Sequence, residues 1–200
     1  MRIGIDIDGV ITNVEEFEID YASKYFYEEG NLDTIKARFD FSREDFNIDE
    51  KTSNDFWSKA IYDYVKIKPR NFACEVINRL KEDGNTICII SNRTSDLSYS
   101  DITPYEMKKT VIQWLSENSI YYDELIFSNG DKVKFVIDNK IDIMIDDTPK
   151  NIKAISNVIP VICYNSNYNK LCEGSNIIRC YSWYDIYNTI KEVVSDKDGK

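Results

Sequence analysis

Short apolar runs rich in Ile and Val recur at Ile3 to Ile7, Thr86 to Ile90, Glu124 to Phe127, Ile141 to Ile145 and Val158 to Cys163. Polar turns bound each run, the pattern expected of strands buried on both faces of a parallel sheet. Among and after them, Phe72 to Glu82, Glu106 to Asn118, Asp131 to Asn139, Pro149 to Asn157 and Trp183 to Val194 repeat apolar residues at three and four spacing, as amphipathic helices do. This alternation predicts an α/β fold, a doubly wound parallel sheet. The stretch from Asn13 to Arg70 breaks the pattern: it is aromatic and acidic, with helical periodicity at Glu15 to Tyr27, Leu32 to Arg38 and Asp55 to Val65. It reads as a small helical cap inserted after the first strand. The expected organisation is a catalytic core of residues 1–12 and 71–194, a cap of residues 13–70, a polar loop from about Asn165 to Ser175, and a flexible tail of residues 195–200.

Composition narrows the chemistry. The 200 residues are 42% hydrophobic and 30% charged, enough for one real core. A net charge of -10 with no basic run argues against duplex nucleic acid and anionic membranes as partners of the general surface. With no histidine, Ser-His-Asp and Cys-His hydrolysis and His-rich zinc sites are excluded. The five cysteines form no CxxC pair and read as structural thiols of a reducing cytosol. No apolar stretch approaches membrane-spanning length, and the N-terminus lacks a leader pattern, so a soluble, cytoplasmic protein is expected.

Carboxylates collect where apolar strands end. The first strand runs into Asp6-Ile7-Asp8-Gly9-Val10, with two acids two residues apart at the carboxyl edge of the sheet, where open α/β sheets bind ligands. Gly9 allows a tight turn. The alternative reading is a turn-forming Asp pair, but acids closing a buried strand are costly unless paired or metal-bound. The second strand ends in Ser91-Asn92-Arg93, whose hydroxyl and amide suit a phosphoryl oxygen, although Ser91 is also an ordinary turn residue. The fourth ends in Asp146-Asp147-Thr148-Pro149, where Asp147 or Thr148 could simply cap a helix. With Asp6, the second acidic pair makes a cluster suited to Mg²⁺, a hard cation that favours carboxylates and water. Lys132 starts the helix before that strand and is placed to offset the negative charge, with Lys134 and Lys140 as alternatives.

In order, these residues resemble the motifs of the haloacid dehalogenase superfamily of phosphohydrolases: DxDGV/T, then Ser or Thr after a strand, then Lys, then an acidic pair. Asp6 and Asp8 fit the first, Ser91 the second, Lys132 the third, and Asp146 with Asp147 the fourth. The resemblance implies a Rossmann-like core of strand order 5-4-1-2-3 and a lid that closes over the site. It implies Asp6 as nucleophile and Asp8 as proton shuttle. It further implies Mg²⁺ held by Asp6, the Asp8 carbonyl and Asp146, with Asp147 behind them, and the phosphoryl group held by Ser91, Asn92 and Lys132. Ile102-Thr103-Pro104-Tyr105-Glu106, Ile143-Met144-Ile145-Asp146-Asp147 and the aromatic cap are most similar to the 5′(3′)-deoxyribonucleotidases and their bacterial nucleotidase relatives. The expected substrate is a small phosphorylated metabolite, a nucleoside 5′-monophosphate before a sugar phosphate, for a monomer or homodimer. Cap aromatics Phe17, Tyr21, Phe41, Phe56 and Trp57 could stack on a base, though most should form the cap's own core. A non-catalytic binding protein or a receiver-like domain fits the intact motifs less well.

Overall fold

The computed structural model describes residues 1–30 and 50–198, with side chains as far as residue 195. Strands β1 (Arg2–Ile5), β2 (Thr86–Ser91), β3 (Glu124–Phe127), β4 (Ile143–Asp146), β5 (Val161–Tyr164) and β6 (Ile177–Cys180) form one parallel sheet of order β3-β2-β1-β4-β5-β6. The expected order is present, extended by β6. That strand falls just beyond the polar loop and was not expected, because Ile-Ile-Arg-Cys is short, lies at the sheet edge and is interrupted by Arg179.

Helices α1 (Val14–Glu28) and α2 (Glu50–Tyr64) belong to the inserted segment, while α3 (Ala73–Glu82), α4 (Pro104–Glu117), α5 (Lys132–Asp138), α6 (Pro149–Ile155) and α7 (Trp183–Asp198) flank the sheet. The backbone of α7 continues past Val194 into the stretch expected to fray. The helix expected at Leu32 to Arg38, and Phe41, lie outside the described residues. Local signals set several boundaries: Thr103 and Glu106 close a capping box on α4, and Pro104 and Pro149 open their helices.

Ile3, Ile5, Ile87, Ile89, Ile143, Ile145 and Ile162 are fully buried between sheet and helices. Each such side chain stabilises the fold by about 1.5–3 kcal/mol relative to exposure. The register does more than fill the core. Ile5 lies between Ile89 and Ile145, and the Asp6 N–H donates to the Ile145 carbonyl at 3.0 Å, so the acid ending β1 stands beside the acid ending β4.

The inserted segment is stapled at its base. Thr12 and Pro69 form an antiparallel bridge, and the Arg70 N–H donates to the Ile11 carbonyl at 2.7 Å. The Arg70 guanidinium donates to the Gly9 and Thr12 carbonyls at 3.1 and 3.3 Å and lies over the Tyr164 ring. Above this hinge, Phe17 stacks on Tyr21 with centroids 4.0 Å apart, and Phe17, Phe56, Trp57 and Tyr64 pack around one another. Most of the described aromatics of the inserted segment are thus packed in the hydrophobic core. Trp57 also faces a cavity.

Candidate active site

Asp6 follows the last paired residue of β1, and the chain then makes a wide turn from Ile7 to Ile11 closed by a Thr12 N–H to Ile7 carbonyl bond of 2.9 Å. Gly9 holds φ +76° in this turn, a conformation that side chains rarely adopt. A Cβ there would run into the Asp147 carboxylate and the Tyr168 hydroxyl. Gly9→Ala is therefore expected to destabilise the chain by at least about 2 kcal/mol, combining backbone strain with overpacking. Urea unfolding checks this, and an unchanged midpoint would contradict the close fit.

The Lys132 ammonium, nearly inaccessible at the first residue of α5, lies 2.5 Å from Asp6 Oδ2 and 2.9 Å from Asp146 Oδ2. Burial would lower its pKa, but the two carboxylates outweigh burial and keep it charged. Lys134 points elsewhere and pairs with Asp138 on the exposed face of α5, and Lys140 is exposed beyond the helix end. Geometry thus separates the three candidate lysines.

Asp146 is fully buried and fully engaged. Its Oδ1 accepts the Thr148 N–H at 2.9 Å, and Asn151 Nδ2 donates to both oxygens at 3.3 and 3.2 Å. Asp147 is also buried. The Tyr168 hydroxyl donates to its Oδ2, Thr148 Oγ1 donates to its Oδ1, and Asn169 Nδ2 donates to its carbonyl. Asp6, Asp146 and Asp147 each offer an oxygen within 4.8 Å of the others. Burial pushes the Asp6 carboxyl well above the usual carboxylate range; Lys132 opposes this, and the charges of Asp146, Asp147 and Asp8 reinforce it. Three buried acids against one ammonium leave negative charge to be balanced, and an all-oxygen donor set fits a hard divalent cation such as Mg²⁺. Asp147, expected behind the ligands, stands in this cluster beside Asp146.

Asp8 turns its carboxylate away from the cluster. Its Oδ1 accepts Arg93 Nε at 2.9 Å and the Tyr64 hydroxyl, with Arg93 Nη2 2.7 Å away. Burial alone would raise this carboxyl, but Arg93 and the Tyr64 hydrogen bond hold it below its ordinary value. Ser91 is fully buried at the end of β2, and its hydroxyl accepts the Arg93 N–H at 3.2 Å. Asn92 is bonded to the Ser128 hydroxyl and borders the site.

Two cavities meet here. One, about 470 Å³, is lined by Asp6, Asp8, Asn92, Lys132 and Tyr168 together with the start of α6. The other, about 240 Å³, is walled by Val14, Trp57, Ile61, Tyr64, Tyr99 and Met107, with Asn92, Arg93 and Asp96 as its polar groups beside Asp8. Asp8 and Asn92 line both. Sequence reasoning gave no role to Tyr64, Arg93, Asn151 or Tyr168. Arg93 carried a signal, a cation directly after two polar residues at a strand end, and Asn151 sits one turn into the helix after the acidic pair. Tyr64 and Tyr168 arrive from distant segments. The cysteines stay outside the chemistry: all five are free thiols, and burial pushes Cys88 and Cys180 up to about 11 and Cys163 up to about 12. Among the described residues no helix is long and apolar enough to cross a membrane.

The fold is shared with solved phosphatases. A D,D-heptose 1.7-bisphosphate phosphatase from B. bronchiseptica, solved with magnesium and phosphate, superposes with a TM-score of 0.54 at 12% identity, covering 96% of this chain and 99% of that one. Together with this fold, the family model that the chain matches and its nucleotidase-named relatives make it a phosphohydrolase of the haloacid dehalogenase type. More narrowly, it belongs to the family described as "5' nucleotidase, deoxy (Pyrimidine), cytosolic type C protein", which it matches over residues 1–197. YqfW of Bacillus subtilis strain 168, which carries a nucleotidase name, is 33% identical over 193 residues, covering 92% of this chain and 91% of that protein. A nucleotidase of Clostridium acetobutylicum is 28% identical over 202 residues, covering 100% and 98%.

Proposed function

We propose that the chain hydrolyses a nucleoside 5′-monophosphate through a phosphoryl group carried on Asp6. The carrying observation is that Asp8 lines both the cavity holding Asp6 and Lys132 and the aromatic-walled cavity beside the cap helices. Phosphate in the first and nucleoside in the second put the ester oxygen next to Asp8.

As the phosphate's negative charge enters the site Asp8 takes up a proton, Asp6 attacks phosphorus, the phosphorus–oxygen ester bond breaks, and the leaving oxygen takes that proton from Asp8. Asp8, now a carboxylate, then removes a proton from water. The resulting hydroxide attacks phosphorus and frees Asp6 with inorganic phosphate. Lys132 and Asn92 hold phosphoryl oxygens, with Ser91 shaping the loop behind them, because phosphoryl transfer depends mainly on positioning and charge neutralisation. Asp6, Asp146 and Asp147 would hold Mg²⁺, which when bound supplies positive charge to the phosphoryl oxygens. Trp57 and Tyr99 offer a base faces of the kind worth about 1–3 kcal/mol per stacked base.

The test is a turnover panel of nucleoside monophosphates and sugar phosphates with Mg²⁺. We expect kcat/KM to be at least about tenfold higher for nucleotides, the factor that 1.4 kcal/mol of stacking gives. Equal rates, or faster sugar phosphates, would overturn the nucleotide assignment while leaving the phosphohydrolase class intact.

A further inference from the structure

We infer that Tyr64 and Arg93 are positioning residues that clamp the Asp8 carboxylate from two sides, so that its aim at the leaving oxygen depends on how the cap is seated. The inference rests on Asp8 being the proton shuttle and goes beyond that reading by naming what orients it.

Tyr64 ends cap helix α2, is buried, and places its hydroxyl against both the Asp8 carboxylate and, at 3.3 Å, the Thr12 hydroxyl at the hinge. Its ring is fixed by Phe17 and Trp57, with centroids 5.0 and 5.5 Å away. The position of α2 is therefore transmitted to Asp8 through a rigid aromatic side chain. Trp57 and Ile61 of the same helix wall the smaller cavity, so a leaving group there touches the helix that holds the clamp.

Arg93 acts from the core side. Its guanidinium lies between the rings of Tyr64 and Trp114, 5.0 and 5.8 Å from their centroids. Its Nε bonds Asp8 Oδ1 and Nη2 stands 2.7 Å from the same oxygen, while Nη1 is buried without a hydrogen-bond partner. A buried cation with an unsatisfied nitrogen is costly, and the contact that offsets the cost is Asp8. A fork fixed by rings and Nε restricts where one carboxylate oxygen can lie, which a flexible ammonium would not do.

Two esters separate this clamp from mere packing. p-Nitrophenyl phosphate releases a phenolate that needs no proton at neutral pH. An alkyl phosphate, thymidine 5′-monophosphate or glucose 6-phosphate if the panel favours sugars, releases an alkoxide that does. Tyr64→Phe keeps the aromatic packing and removes only the hydroxyl. Because general acid catalysis contributes about 10²–10⁴-fold, we expect kcat/KM, which reports ester cleavage and not the later hydrolysis of the phospho-enzyme that both esters share, to fall on the alkyl ester about tenfold in Tyr64→Phe and about tenfold or more in Arg93→Lys. On p-nitrophenyl phosphate kcat/KM of both variants should stay within about threefold. Equal losses on the two esters, or no loss in either variant, would overturn the clamp. Asp8→Asn is the reference. If it loses alkyl-ester turnover while Tyr64→Phe and Arg93→Lys do not, only the clamp fails; if it keeps that turnover, the shuttle assignment fails and the clamp with it.

Discussion

Asp6→Asn should lower turnover by about 10⁴-fold or more, the scale on which enzymes lose activity when their nucleophile is removed. The substitution keeps the shape of the side chain, and an amide oxygen can still accept the Ile7 N–H that Asp6 Oδ1 now accepts at 2.8 Å. Folding should survive. Without metal the variant should even melt higher than wild type, because one of three clustered buried acids is gone while Lys132 keeps Asp146. Loss of activity together with a raised melting temperature would mark Asp6 as a residue kept for chemistry at a cost in stability. A variant that lost activity because it was unfolded would show neither a cooperative transition nor that rise.

Lys132→Met carries the largest expected effect on the fold. Removing the ammonium strands Asp6 and Asp146, and breaking a buried pair in this way costs about 3–5 kcal/mol. The pH dependence has a definite sign. An acid whose folded pKa is raised disfavours the fold once pH exceeds its unfolded value, near 3.9 for Asp, because only the unfolded chain ionises it freely. Asp6 is already raised with Lys132 present, and without it the shift grows. The penalty should therefore shrink as pH falls toward 4 and be larger at pH 7 than at pH 5. Urea unfolding at pH 7 and pH 5 measures it, and Lys132→Met with Asp146→Asn should recover part of the loss. A penalty below about 1 kcal/mol at pH 7 is what a solvent-exposed lysine would give and would contradict the buried bridge.

What the sequence revealed follows the range of the forces involved. Strands β1, β2, β4 and β5 were legible because their apolar, Ile-rich runs are buried on both faces, leaving no polar alternation to confuse the pattern, while the half-buried β3 was legible only as a short apolar run between polar turns. Asp6, Asp146 and Asp147 were legible because an acid directly after such a run has an evident electrostatic cost. Lys132 was narrowed only to a choice with Lys134 and Lys140, since spacing does not say which side of α5 meets the sheet edge. β6 escaped because four residues around an arginine carry little periodicity, although Arg179 has a tertiary purpose: its guanidinium donates to Asn165, Asn169, Lys170 and Cys172 and folds the loop that brings Tyr168 to Asp147. Tyr64 and Tyr168 were invisible for the same reason. Each contributes one hydroxyl carried to the site by an element placed through packing elsewhere, and Tyr64 lies 56 residues from the carboxylate it bonds.

The central claim is that the phosphoryl group passes through Asp6. Acid-quenching the enzyme during turnover of a phosphate-labelled substrate, then digesting it and mapping the label by peptide, tests that claim most directly. The label should be found on Asp6, acid-stable and lost in alkali as an acyl phosphate is, and it should be absent from Asp6→Asn. Label on any other side chain, or sustained turnover with no labelled peptide because water attacks the substrate directly, would contradict it.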